Sequence, residues 1–319
     1  MKAVLLDCDS LGPTDLDLGA LLALPVDWTI YPDTSPDEVS ERIADADIVL
    51  TNKAPITALS LSQASRLKMI SIMATGTNAV DLQAAAQYQV AVCNAVKYVT
   101  GSVVQHVWAL ILALTTKLTD YQRAAVDGTW QQSSLFCLLD FPVEELQGKV
   151  LGIVGAGELG CAVAKVAEAF GLEVIYAALP GREYADQQRV ELKAFLGRAD
   201  IVSLHCPLTD ETVNLIDDAE LALMKPSAIL INTARGGVVN EVALKQALLK
   251  GEIAGAGVDV LTNEPPREGN PLLDNRIPNL LVTPHCAWVA RQSRQRLVDQ
   301  TVENLRAFLQ GEPLLRAVL

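Results

Sequence analysis

The stretch Lys149-Val-Leu-Gly-Ile-Val-Gly155-Ala-Gly157-Glu-Leu-Gly160, an Ala/Val-rich run and then Gly171-Leu-Glu-Val-Ile-Tyr176 constrains this chain more than any other. An apolar strand runs into three glycines spaced G-x-G-x-x-G, a helical pattern follows, and Gly171 closes it ahead of a second strand. Each glycine has a physical task in such a turn. Gly155 allows a tight reversal, Gly157 lets a pyrophosphate approach the backbone, and Gly160 lets helix and strand pack without a Cβ between them. The helix then starts with free N–H groups and a partial positive charge, both of which favour phosphate. Such turns also occur as plain strand–helix connections. The complete strand–turn–helix–strand context favours dinucleotide binding, with Gly155, Gly157, Glu158, Leu159 and Gly160 against the ligand.

Strands and helices alternate almost throughout, the pattern of parallel sheets. Before the glycine loop, strands are expected over 3–6, 47–50, 68–73 and 90–93, with helices at 36–44 and 78–88 and a long apolar helix over 101–117. A less regular segment, 127–147, carries an apolar patch at 135–139. The second series has strands over 150–154, 173–176, 200–204, 228–232, 257–260 and 280–282, the six that a full dinucleotide-binding sheet uses. A chain of 319 residues is long for one doubly wound domain and points to two. The last helical pattern, 288–309, follows the final strand and can return to the first domain, making that domain discontinuous.

Thirty-eight acidic against 25 basic residues give a net charge of -13. That argues against nucleic acid and anionic membrane surfaces as partners, because both need clustered Lys and Arg. The cysteines (Cys8, Cys93, Cys137, Cys161, Cys206, Cys286) form no C-x-x-C pair and no metal-binding spacing, so free thiols in a reducing compartment and no metal site are expected. The N-terminal apolar run is too short for a signal peptide and is interrupted by Asp7 and Asp9, and no uncharged apolar window of membrane-spanning length stands out. A soluble, cytoplasmic protein is the expectation.

Ligands of open α/β sheets bind at the carboxyl ends of the strands. The polar residues there are Asn52-Lys53, Thr75-Gly76-Thr77-Asn78, His205-Cys206-Pro207, Thr233-Ala234-Arg235-Gly236-Gly237, Asp259, Glu264 and Thr283-Pro284-His285. With three histidines in the chain, a proton carrier for neutral pH can be sought by inspection. His106 sits inside the long apolar helix, as a packed or capping residue. His205 precedes Cys-Pro, in a turn suited to lining a cofactor pocket. His285, after Thr-Pro at the end of the last strand, is the favoured acid. Glu264 in isolation reads as a solvated loop carboxylate, as loop acids usually are. Arg235, before Gly-Gly, is either a surface ion-pair partner or a planar fork for a carboxylate.

The order of these stretches resembles the D-isomer-specific 2-hydroxyacid dehydrogenase family along nearly the whole chain. The matching segments are Ala74-Thr-Gly-Thr-Asn78, Gly155-Ala-Gly-Glu-Leu-Gly160, His205-Cys-Pro-Leu208, Ile231-Asn-Thr-Ala-Arg-Gly-Gly237, Gly257-Val-Asp-Val260 with Glu264-Pro265, and Thr283-Pro-His285. Leu50-Thr-Asn-Lys53 and Trp130-Gln-Gln with Phe136-Cys-Leu-Leu-Asp-Phe141 add a likeness to the glycerate dehydrogenase / hydroxypyruvate reductase branch. The resemblance implies two doubly wound parallel-sheet α/β domains. A Rossmann cofactor domain (101–286) would be inserted in a flavodoxin-like substrate domain (1–100 plus 287–319). It implies a homodimer and hydride transfer between NAD(P)H and a small 2-keto acid, hydroxypyruvate or glyoxylate foremost. Arg235 would hold the substrate carboxylate and polarise the keto oxygen. His285 would protonate that oxygen, and Glu264 would orient His285 and favour its charged form. The N–H groups of Thr75 and Gly76, with Lys53 and Trp288, would contact substrate. Asp259 would hold the nicotinamide carboxamide, with His205, Cys206, Pro207, Thr233 and Ala234 lining the cofactor.

Three departures stand out. Where NAD-specific members carry an acid at the end of the second strand, this chain has Ala178, with Arg182 shortly after, which slightly favours NADP over NAD. Gln105 replaces a common Glu. Ala287-Trp288 replaces a common glycine after the catalytic histidine, so Trp288 either shapes the substrate pocket or is a core aromatic at a helix start. Two other readings fit the scaffold: a dinucleotide-sensing corepressor-like protein, and D-3-phosphoglycerate dehydrogenase. The absence of a basic tail disfavours the first, and the absence of a regulatory extension beyond Leu319 disfavours the second.

Overall fold

The structure is a computed structural model that describes residues 1–181 and 189–319. The chain divides into two compact units, Met1–Val99 with Val289–Leu319, and Thr100–Trp288. That division places Ala287 and Trp288 with the second unit. Among the described residues, no single helix is long and apolar enough to cross a membrane.

The first unit is built on a five-stranded sheet, β1 (Lys2–Leu5), β2 (Asp27–Ile30), β3 (Ile48–Thr51), β4 (Met69–Ile72) and β5 (Ala91–Cys93), in the order β2-β1-β3-β4-β5. Every pairing is parallel. β3 and β4 are buried at every position, as strands covered by helices on both faces must be. The sequence reading omitted β2. Its Asp-Trp-Thr-Ile lies on the sheet edge with both ends exposed, so no continuous apolar run marks it. The last helix, Arg291–Gln310, turns Leu297, Val298, Thr301, Val302 and Leu305 inward and belongs to this unit.

The second unit carries β6 (Val150–Val154), β7 (Glu173–Ala178), β8 (Arg189–Glu191), β9 (Ile201–Leu204), β10 (Ile229–Asn232), β11 (Gly255–Val258) and β12 (Leu280–Val282). Its order is β12-β11-β10-β9-β6-β7-β8, the doubly wound dinucleotide-binding order with an extra edge strand. The sheet thus has seven strands where six were expected. The addition is β8, a three-residue edge strand with charged ends and no apolar signal. The helix Thr100–Thr115 packs Val103, Val107, Trp108, Leu110, Ile111 and Leu114 into this unit, and Trp108 stacks on Phe170 with ring centroids 4.9 Å apart. The apolar face of this helix is thus covered within its own unit.

Candidate active site

Register turns separate motifs into one line. Val154 pairs with Leu204, Leu204 with Asn232, Asn232 with Val258, and Val258 with Val282. The residues one step beyond these pairs are Gly155, His205, Thr233, Asp259 and Thr283. They therefore lie in a row along the carboxyl edge of five neighbouring strands, about 5 Å apart.

The glycine loop opens this row. Gly155 adopts φ +98°, and a Cβ there would meet the His205 carbonyl and the Cys206 amide nitrogen at 2.7–2.8 Å. A Cβ on Gly160 would collide with the Gly155 carbonyl oxygen, which is why helix Glu158–Ala169 can start so close to the strand. Gly157 differs: nothing lies within 4 Å of its Cβ position, and as N-cap of that helix it makes no side-chain cap. A backbone step open to solvent at a twelve-residue helix start suits a pyrophosphate. Glu158 and Leu159 form the first turn, and the Glu158 carboxylate accepts a bond from the Thr100 hydroxyl.

Two side chains of the row carry buried polar atoms without a protein partner, His205 Nδ1 and Thr233 Oγ1. Both are positions from which a cofactor group can take a hydrogen bond, so the residues present fit a dinucleotide. His205 Nε2 lies 2.9 Å from Ser203 Oγ. Burial holds its ring down at about 4, so His205 is neutral near pH 7 and is no proton donor there. Cys206 is buried, Pro207 is exposed, and Ala178 ends β7. Arg182 lies outside the described residues.

After β10, Asn232 builds the turn that carries Arg235. Its Oδ1 accepts from the Ala234 amide at 3.1 Å and its Nδ2 donates to the Arg235 carbonyl at 3.0 Å. The Arg235 side chain is exposed, with Nη1 donating to the Ala234 carbonyl at 2.7 Å. Gly236 then passes so close to the Leu261 carbonyl that a Cβ would overlap it. From there the chain reaches Glu264, whose Oε1 accepts the Leu261 amide at 2.7 Å and whose Oε2 lies 2.6 Å from His285 Nδ1. Glu264 is thus paired with His285 and held by backbone, not a solvated loop acid. His285 adopts φ +50°, a conformation an L-residue rarely takes, and its amide donates to the Asp259 carbonyl at 2.8 Å.

Asp259 is 1% exposed, and its carboxylate faces inward. Oδ1 accepts from the Thr283 hydroxyl at 2.5 Å and the Cys286 amide at 2.9 Å, and Oδ2 accepts from the Ala287 amide at 2.9 Å. The side chain thus clamps the turn bearing His285, leaving free acceptor capacity on Oδ2 for a carboxamide. His106 joins this network through Nε2, 3.0 Å from Thr283 Oγ1, and is neither a plain core residue nor a cap. Trp288 is half-buried in a turn three residues ahead of the last helix, so it is not a helix-start aromatic.

In the first unit, buried Asp7 clamps the loop after β3, accepting from the amides of Asn52, Lys53 and Ala54 at 2.5–3.2 Å. This residue was not anticipated, because a lone Asp at a strand end carries no sequence signal. It leaves Lys53 exposed. Thr75 and Gly76 lie in the loop after β4, where the Thr75 carbonyl accepts from Asn94 Nδ2 at 2.9 Å.

Residues 108–287 match the family model described as D-isomer specific 2-hydroxyacid dehydrogenase, NAD binding domain. The chain is 42% identical to a glycerate dehydrogenase of Methylorubrum extorquens, covering 98% of this chain and 97% of that one. It is 38% identical to a hydroxypyruvate reductase of Blautia hydrogenotrophica, with 98% of each covered. Among solved structures, an acyclic imino acid reductase in complex with NADPH and D-Arg superposes with a TM-score of 0.84 at 28% identity, covering 100% of both chains. A D-lactate dehydrogenase from Aquifex aeolicus complexed with NAD and lactic acid gives 0.82 at 28%, over 98% of this chain and 96% of that one.

Proposed function

The chain belongs to the D-isomer-specific 2-hydroxyacid dehydrogenase family, and from that premise we propose that it reduces hydroxypyruvate and glyoxylate to D-glycerate and glycolate. It is an NAD(P)-linked enzyme that converts keto acids to D-hydroxy acids. The observation carrying the catalytic assignment is the 2.6 Å contact between His285 Nδ1 and Glu264. It leaves Nε2 as the ring atom that can deliver a proton. A bound nicotinamide cofactor supplies the hydride. His285 Nε2 gives its proton to the keto oxygen as charge develops there, and recovers it in the oxidative direction. Arg235, on a turn fixed by Asn232, takes the substrate carboxylate through its planar fork and draws charge from the keto oxygen. Glu264 fixes the imidazole tautomer through Nδ1. On the first unit, Lys53 and the Thr75 and Gly76 amides are assigned to the substrate carboxylate, and Trp288 to the walls of the substrate site.

The cofactor is a nicotinamide dinucleotide, held by the glycine loop, Glu158–Leu159 backbone, His205–Pro207 and Thr233–Ala234. NADPH is favoured over NADH because Ala178 removes the acid that would repel a 2′-phosphate. The protein acts as a homodimer, in the cytoplasm. Supporting the dimer is the segment 118–143, where Phe136 is 91% and Leu139 78% exposed, more apolar surface than a free monomer usually presents. A panel of 2-keto acids with NADH and NADPH, followed at the nicotinamide absorbance, tests the reaction. Turnover on none of them would overturn it. Sedimentation as a monomer at micromolar concentration would overturn the dimer.

A further inference from the structure

Thr283 has one hydroxyl proton, and the 2.5 Å contact to Asp259 Oδ1 takes it. Its oxygen must therefore accept from His106, whose Nε2 lies 3.0 Å away. The result is a directed chain: His106 Nε2–H to Thr283 Oγ, Thr283 O–H to Asp259 Oδ1. Asp259 in turn grips the amides of Cys286 and Ala287 through its carboxylate and that of His285 through its own backbone carbonyl. The three amides belong to one turn, in which His285 holds φ +50°. A strained backbone of this kind persists only where its surroundings over-determine it. His106 stands on helix Thr100–Thr115, which is fixed to the rest of the unit by Trp108, Ile111 and their apolar neighbours.

From this geometry we propose that His106 is a positioning residue. Through Thr283 and Asp259 it locks the turn that aims His285 at the substrate. The role of His285 as acid rests on the reading above, whereas the lock itself does not. The ligand atoms of His106 and Asp259, with Cys286 Sγ, lie within 4.8 Å of one another, as ligands of a metal ion would. The hydrogen bonds joining His106, Thr283 and Asp259 need none. The Asp259 carboxylate accepts from two amides and a hydroxyl, and His106 Nε2 lies closer to Thr283 Oγ1, at 3.0 Å, than to Asp259 Oδ1, at 3.5 Å.

Because the hydrogen bond from His106 ends on Thr283, with Asp259 Oδ1 at 3.5 Å, breaking either link should cost largely the same thing once. His106→Ala and Thr283→Val should each lower kcat about 10- to 100-fold, and the double variant should be no worse than the poorer single one. KM for the keto acid and the Kd for NADH, read by nicotinamide fluorescence, should move less than about threefold, since His106 bonds to the turn and not to either ligand. Thr283→Ser keeps the hydroxyl and should keep at least about half of the wild-type kcat.

Hydrogen exchange read by mass spectrometry on the peptide holding 283–288 gives an arm independent of catalysis. The Cys286 and Ala287 amides should exchange at least about tenfold faster in both single variants and at the wild-type rate in Thr283→Ser. Additive losses, or unchanged exchange in His106→Ala, would overturn the lock. If His106→Ala does not fold, Thr283→Val against Thr283→Ser decides through exchange alone. Full turnover of His285→Ala, with exchange behaving as described, would leave the lock standing and remove the acid assignment.

Discussion

His205 and His285 both follow strands of the same sheet, and His205 is the one whose ring burial keeps neutral. The His205 ring is enclosed, with Nδ1 buried without a partner, and burial holds its pKa down to about 4 from the ordinary 6.5. The unfolded chain therefore takes up a proton near pH 6.5, while the folded chain resists until near pH 4. Stability from keeping the ring neutral is whole above about pH 6.5 and drains away as pH falls toward 4. Two and a half pKa steps amount to about 3 kcal/mol at the limit, of which about 2 kcal/mol is lost between neutral pH and pH 5. The perturbation is His205→Gln, which keeps a group able to meet Ser203 Oγ and cannot titrate. Urea unfolding of both proteins from pH 8 to 4.5 reads the difference, with m-values checked for constancy. The variant should be the less stable protein at neutral pH, and the gap should close by about 2 kcal/mol at pH 5. Parallel stability curves over this range would show that the ring is not held neutral by burial, and would reopen His205 as a proton donor.

Three further expectations concern the chemistry. His285→Ala should lose about 10²–10⁴ in kcat and Glu264→Gln less, since the latter leaves a ring able to carry a proton; near-normal turnover in His285→Ala in steady-state assays would remove it from the mechanism. Arg235→Lys keeps the charge but loses the planar fork, so kcat/KM for the keto acid should fall by about 10- to 100-fold, and an unchanged value would exclude two-pronged carboxylate binding. Ala178→Asp should cut kcat/KM for NADPH far more than for NADH; a tenfold preference for NADH in the unaltered protein would refute the reading of that strand end.

The glycine loop was legible because each of its glycines answers a steric demand that is local in sequence, and the helix and strand around it follow their periodicities. The proposed catalytic pair was legible only in part. His285 and Glu264 were nameable from strand ends and motif order, yet the bond between them depends on the paths of two turns. The His106 network was not legible at all. Thr283 and His106 are 177 positions apart, and nothing near either one marks the other. His106 interrupts an apolar helix, so packing was the natural reading. The long apolar helix spends its apolar face on β10, β11 and the helix after the glycine loop, partners its sequence does not name. Strands β2 and β8 escaped notice because their exposed or charged ends leave no continuous apolar run, whereas the edge strands β5 and β12 carry one.

The close pass of Gly236 over the Leu261 carbonyl has a consequence for redesign. The turn carrying the cation and the turn leading to the acid touch main chain to main chain, with no side chain in between to trim or enlarge. Their spacing cannot be retuned by choosing a bigger or smaller residue, and any side chain at 236 would wedge the two turns apart. A saturation library at this position should return glycine alone among active clones. Attempts to widen the range of acids accepted should therefore leave this seam intact.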